Sequence, residues 1–229
     1  MRHKLVNKKD YISNPKSYGY RCIHLVYGFV SDKGKQNYNG LLVEIQIRSK
    51  LQHLWATAVE TVDFFTNQAI KSNQGDKDWK DFFKLVSSAF AKLEKSSTIV
   101  EDTPNNEKEL CLCIKEKEVK LNAMKNMELW TKSIKSFDDL KNKKQDTAFF
   151  LLELDAGLNR LNISADSKAE EAKALDDYAY SEQKIYGRTE CDVVLVGVDN
   201  LVDLKEAYPN YFLDTAKFIK RLERILKKY

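Results

Sequence analysis

From Tyr20 to Val30 the chain reads Tyr-Arg-Cys-Ile-His-Leu-Val-Tyr-Gly-Phe-Val, an alternation rich in aromatic and β-branched residues that predicts a strand. Ser31 to Gly40, with Asp32, Gly34, Asn37, Asn39 and Gly40, predicts a hairpin-type connection into a second strand over Leu41–Ile47. On that strand Val43, Ile45 and Ile47 share one face, while Leu42, Glu44 and Gln46 share the other with Arg48 at its end. The β-branched face is expected to pack on a core, which leaves Glu44, Gln46 and Arg48 toward solvent or toward a site. At Ser49 the period changes. Ser49 with Gln52 three positions on forms a capping-box pattern, and Leu51, Leu54, Trp55, Ala58, Val62 and Phe65 recur at helical spacing.

Further along, Asp78 is expected to cap a helix to about Leu93 carrying Trp79, Phe82, Phe83, Val86 and Phe90, and Ser96 to Asn106 is a linker. Glu107 to about Phe137 reads as one long helix with Leu110, Ile114, Leu121 and Met124 on its apolar side and a charged, solvated face opposite. Thr147–Leu154 and Leu158–Ser164 predict two strands around an Asp155-Ala156-Gly157 turn. Asp166 or Ser167 opens a helix to about Tyr186, Cys191–Val198 is a buried strand, and two helical pieces follow, split near Pro209. Ahead of all this, Met1 to Asp10 is polar and predicts no element, and Asn14-Pro15 with Gly19 makes Tyr11 to Gly19 a loop.

Composition narrows the classes more than it selects one. A chain of 229 residues at 43% hydrophobic content can bury a substantial core, as one domain or two small ones. Its 38 basic and 34 acidic side chains nearly cancel, so the total charge gives no mandate for nucleic acid. Cys22, Cys111, Cys113 and Cys191 form no CxxC pair and read as reduced thiols, which points to the cytoplasm. No apolar run approaches the roughly 18 residues that a membrane span needs.

The candidate chemistry lies early in the chain. Glu44, projecting from a strand beside Gln46 and near the loop residue Lys16, has the character of a metal-binding or proton-accepting carboxylate; a solvent-facing strand carboxylate has the same pattern. Lys9, Lys16, Arg21 and Arg48 would make a phosphate-binding rim, or are scattered surface cations. Tyr11, Tyr18 and Tyr20 offer faces for a nucleobase or for the core, and His24 and His53 are either structural or phosphate-facing.

Two segments carry a resemblance that periodicity does not supply. KDYISNPKSYGYRCIH (Lys9 to His24), followed one hairpin later by VEIQIRSKLQHLWATAVE (Val43 to Glu60), resembles the second half of the RelA/SpoT alarmone synthetase domain over roughly residues 7–100; the WAT after EIQIR is similar to its small, synthetase-only members. The resemblance implies pyrophosphate transfer from ATP to the 3′-hydroxyl of GDP or GTP, with Mg2+, on a mixed sheet flanked by helices. It further implies that Tyr11 stacks on guanine, that Lys16, Tyr20 and His24 surround the acceptor's phosphates, and that Glu44 is the catalytic and magnesium-associated carboxylate with Gln46 next to it; Arg21 joins the nucleotide-binding candidates through its charge on the basic rim. Tyr18 stands where the family pattern has asparagine, which bears on acceptor hydrogen bonding. YPNYFLDT (Tyr208 to Thr215) resembles the tail of longer RelA/SpoT-domain proteins.

The expected fold class is α+β: a partial nucleotidyltransferase-like sheet with helices over residues 1–100, a helical connector over 101–145, and a small α/β unit over 146–229. In the family the domain begins well upstream, with a segment that supplies the basic side chains for ATP and a second carboxylate. The 229-residue polypeptide is therefore expected to be truncated and weak or inactive alone, with an incomplete donor site. Three other readings stay open: a non-catalytic guanine-nucleotide-binding or interaction module, a relative that pyrophosphorylates tRNA, and association with further copies of the chain. An alarmone hydrolase is disfavoured, since that chemistry needs a His/Asp metal site and the chain has three histidines. No DNA and no membrane partner is expected.

Overall fold

The computed structural model describes all residues except 1–2, 32–33, 35, 67–68, 71–72, 97, 144–145, 156–157, 159, 189–190, 200–210 and 229. The elements run β1 (Lys4–Asp10), β2 (Ile23–Gly28), β3 (Leu42–Ile47), α1 (Lys50–Thr66), α2 (Lys77–Leu93), α3 (Glu107–Leu121), α4 (Ala123–Lys143), β4 (Thr147–Asp155), β5 (Arg160–Ser167), α5 (Glu171–Ile185), β6 (Cys191–Gly197) and α6 (Tyr211–Leu226). This is the α+β class. Two three-stranded sheets, ordered β1-β2-β3 and β5-β4-β6, are antiparallel throughout.

The helices hold the core, and the second sheet packs against them. In α1 the residues Leu54, Trp55, Ala58, Val59, Val62 and Phe65 are all buried, and they meet Trp79, Phe82, Phe83 and Phe90 of α2. Phe65 stacks on Trp130 of α4 with ring centres 5.4 Å apart and planes 3° from parallel. The last helix returns to this core, since Phe218 contacts Phe83 and Phe90. Each such ring contributes roughly 1.5–3 kcal/mol of apolar burial. Phe150, Leu152 and Leu154 of β4 with Val194 and Val196 of β6 join the same cluster, which ties the second sheet to the helices.

Four expectations need correction. The polar run Met1 to Asp10 predicts no element, yet Lys4–Asp10 is β1, paired with β2 from Lys4↔Gly28 to Asp10↔Ile23. Its side chains are nearly all exposed, so the strand carries no alternation to read. The long helix expected from Glu107 is two, because Asn122 adopts φ 46 and ψ 37 and stops α3 as a left-handed C-cap. Asp76, not Asp78, caps α2, accepting from the backbone of Asp78 and Trp79. The β-branched face of β3 does not reach the core: Val43, Ile45 and Ile47 remain 46%, 46% and 48% exposed. Pro209 and the first three residues of YPNYFLDT lie outside the described residues, as does most of the Asp155-Ala156-Gly157 turn. The capping box at Ser49 is present, with Gln52 N donating to Ser49 Oγ at 3.1 Å and Ser49 N to Gln52 Oε1 at 3.0 Å. Among the described residues no helix is long and apolar enough to cross a membrane.

Candidate functional site

Register places the candidate side chains before any contact is considered. In the β2–β3 ladder His24 lies opposite Gln46 and Val26 opposite Glu44, and in the β1–β2 ladder Lys9 lies opposite His24. Directly paired residues share a face. Lys9, His24, Gln46 and Glu44 therefore stand on one side of the first sheet, with Ile23, Leu25, Ile45 and Ile47 on the other.

On that side the side chains form a line of polar contacts. Tyr20 Oη lies 2.8 Å from His24 Nε2, and His24 Nδ1 lies 3.1 Å from Glu44 Oε2. A carboxylate only accepts, so the proton of a neutral imidazole sits on Nδ1, and Nε2 accepts from the Tyr20 hydroxyl. Gln46 Nε2 donates to Glu44 Oε1 at 2.7 Å, and Arg48 in turn donates to the Gln46 carbonyl oxygen. The Gln46 hydrogen bond, with the His24 contact second, holds the Glu44 carboxyl below the ordinary carboxylate range. Burial raises the Tyr20 phenol above its usual value, so it stays a donor.

The loop closes the other end of the line. Tyr11 follows directly on β1, its ring 5.3 Å from the His24 ring and edge-on to it, and 6.0 Å from the Tyr20 ring. Lys16 Nζ sits 4.5 Å from the centre of the Tyr11 ring. Asp10 pins the turn by accepting from the backbone N–H of Ile12 and Ser13, each at 3.0 Å. Tyr11, Lys16, Tyr20, His24, Glu44 and Gln46 are thus brought together.

Arg21 is not with them. Expected on a phosphate rim, it is 4% exposed, and its guanidinium donates to Ser87 Oγ (3.2 Å), the Ile12 carbonyl (3.1 Å) and the Thr98 carbonyl (2.9 Å). It fastens the Tyr11–Gly19 loop to α2. Gly19 completes that attachment: Ser87 Oγ donates to its carbonyl at 2.6 Å, and at φ +103 a Cβ on Gly19 would lie 2.9 Å from Ser87 Cβ. Ser87 is the residue that no motif in the sequence announces. His53 also lies apart, bonded to Asp214 of α6 at 3.0 Å.

The donor set around Glu44 does not fit a resident magnesium ion. Both carboxylate oxygens accept from N–H groups, and the near neighbours offer an imidazole and an amide where Mg2+ demands oxygen ligands. Among the described residues no three His, Cys, Asp or Glu side chains gather to hold a metal.

A family comparison bears on the same stretch. Residues 1–65 match a family described as a region found in RelA / SpoT proteins. Small alarmone synthetase 1 from Bacillus subtilis, solved bound to its product pppGpp, is 31% identical over 42% of this chain and 45% of its own, with a TM-score of 0.33. The chain thus spans less than half the length of that relative. No curated protein matches it. The first 65 residues of this α+β protein, which hold the whole Tyr11–His24–Glu44 line, thus match a region found in RelA / SpoT proteins.

Proposed function

We propose that the polar face of the first sheet between the Tyr11–Gly19 loop and Glu44 is the acceptor subsite for a guanine nucleotide in RelA/SpoT-type pyrophosphate transfer. The observation that carries this reading is the line Tyr11–His24–Glu44, an aromatic face at one end and an anionic carboxylate at the other. The Tyr11 ring stacks on the base. Lys9, Lys16 and Arg48 supply positive charge to the phosphates, and the Nδ1-protonated His24 orients Glu44. A carboxylate held low is anionic at neutral pH and a weak proton acceptor, so Glu44 acts first by accepting a hydrogen bond from the 3′-hydroxyl and aligning it.

ATP is the donor in this reading, and a magnesium ion carried on its polyphosphate is part of the substrate. This face brings one carboxylate and few cations, short of what the donor requires. The 229-residue polypeptide therefore binds acceptor and transfers little pyrophosphate alone. Nucleotide substrates put the reaction in the cytoplasm. Incubation with ATP, GDP and magnesium, followed by chromatography of the nucleotides, tests this: traces of (p)ppGpp are expected, and robust synthesis overturns the reading of an incomplete donor side.

A second reading, a non-catalytic nucleotide-binding or interaction module, is favoured by the exposed Val43, Ile45 and Ile47 face. Guanine-nucleotide binding lost in Tyr11→Ala supports the acceptor site; absence of nucleotide binding in the parent chain supports the interaction module.

A further inference from the structure

Of the two outer strands of the first sheet, β1 is guarded and β3 is not. Strand β1 carries Lys4, Lys8 and Lys9 and a register shift between Leu5 and Asn7, the charges and the irregularity that keep an open edge from pairing with another chain. Strand β3 pairs with β2 without a register shift and holds no lysine, proline or glycine; its one charge is Glu44. All of its residues are exposed, Leu42 the most at 65%. A regular, largely apolar and exposed edge is a template for strand addition. Which backbone groups it offers follows from the ladder. Tyr11 N donates to the Cys22 carbonyl and Phe29 N to the Leu41 carbonyl, so the even-numbered residues of β2 turn their backbone groups to β1 and the odd-numbered ones to β3. The partners of those odd residues are Val43, Ile45 and Ile47. The N–H and C=O groups of Leu42, Glu44 and Gln46 therefore point outward, where the sheet ends among the described residues.

We infer that this edge pairs with the same edge of a second copy of the chain, antiparallel about a two-fold axis, so that the two three-stranded sheets become one. The outward rows must meet, and two registers then overlap the strand most fully. Centring on Glu44 sets it against Glu44 of the second copy, a destabilising like-charge pair. Centring on Ile45 pairs Val43–Ile47 throughout: Ile45 meets Ile45, Val43 meets Ile47, and Glu44 meets Gln46 with Arg48 of the second copy on the diagonal. The polar row is thus complementary to itself in charge, and its members already bond along it, Arg48 to Gln46 and Gln46 to Glu44. The β-branched row, left open in the single chain, gains a neighbour of its own kind. Pairing consumes β3 and leaves only the guarded β1 edge, so association closes at two. This inference is independent of the nucleotide reading, which GDP binding tests separately.

Sedimentation velocity of the full chain over a dilution series reads the association, and disulfide trapping reads the register. Ile45 lies on the axis in a non-hydrogen-bonded pair, where Cα atoms stand about 4.5 Å apart, within the ~4.4–6.8 Å span of a disulfide. A reversible dimer is expected. Ile45→Cys should give a covalent dimer on mild oxidation, while Glu44→Cys, Gln46→Cys and the parent with its own cysteines do not. Gln46→Pro removes an N–H that only the second copy uses, and proline is tolerated on an outer strand; it should raise the dimer dissociation constant at least tenfold with an unchanged circular dichroism spectrum. Ile45→Lys, which sets two like charges on the axis, should do the same and stands in if the proline variant fails to fold. A parent that stays monomeric at its highest soluble concentration, dimerisation unchanged in both variants, or trapping by Glu44→Cys or Gln46→Cys in place of Ile45→Cys overturns the proposal. So does a monomeric parent that takes up an extended peptide of different sequence, which would assign the edge to another protein's strand.

Discussion

Replacing Arg21 with methionine keeps most of the apolar stem and removes all three donors of the guanidinium. Three acceptors, Ser87 Oγ and the carbonyls of Ile12 and Thr98, then lose the guanidinium N–H that each accepts from, inside a packed junction. Hydrogen bonds from a charged donor contribute ~1.5–3 kcal/mol each. The sum is not the expected loss, because the native state also carries the desolvation of the guanidinium, which depresses the Arg21 pKa against a smaller opposing influence of Glu94. The net destabilisation should be about 2–4 kcal/mol. For a chain of this length that lowers Tm by roughly 5–15 °C. Thermal unfolding followed by circular dichroism measures it, and Arg21→Lys, which restores one donor, should fall between parent and methionine variant. GDP affinity should drop with Tm, because the loop that carries Tyr11 loses its attachment to α2. A methionine variant melting within ~1 °C of the parent would refute the assignment of Arg21 as the fastener of the loop.

Gly19→Ala places a Cβ 2.9 Å from Ser87 Cβ and 3.1 Å from the Trp55 ring at a backbone φ of +103; overpacking and strain together should cost about 2–4 kcal/mol, read as a lowered urea midpoint with unchanged m. Asp78 binds Lys117 and Lys120 across α2 and α3 at 2.7 and 2.5 Å, and those contacts hold its carboxyl at about 2. The folded pKa is depressed, so this stabilisation is present above the ordinary 3.8 and is lost as pH falls toward 2. Asp78→Asn should therefore flatten the acid limb of a Tm–pH curve between pH 4 and 2; an unchanged limb would contradict the pairing.

What could be read from the residues was whatever repeats with a period. The alternation of β3, the Ser49/Gln52 box and the apolar stripes of α1 and α2 follow from local chemistry and appear where expected, while β2 occupies only Ile23–Gly28 of the expected Tyr20–Val30. Four kinds of feature escaped. Strand β1 is polar because both its faces are open, so KLVNKKD resembles a loop. The break between α3 and α4 rests on one residue, Asn122, turned left-handed inside an otherwise continuous helical pattern. The Val43/Ile45/Ile47 face alternates as a core face does, yet nothing described covers it, because periodicity reports which side is apolar and not what packs there. Arg21 has a charge that suggests a surface rim, and only the tertiary approach of Ser87 and Thr98 reveals why it is buried. For the candidate site, the segments and side chains were legible, whereas the Tyr20–His24–Glu44–Gln46 hydrogen-bond order needed the ladder register.

The central question is whether a guanine nucleotide rests against Tyr11. Titration of the chain and of Tyr11→Ala with GDP settles it: the parent should bind, and the variant should lose roughly 5- to 150-fold in affinity, the loss of one stacking contact of ~1–3 kcal/mol. Equal affinities in the two proteins would contradict it.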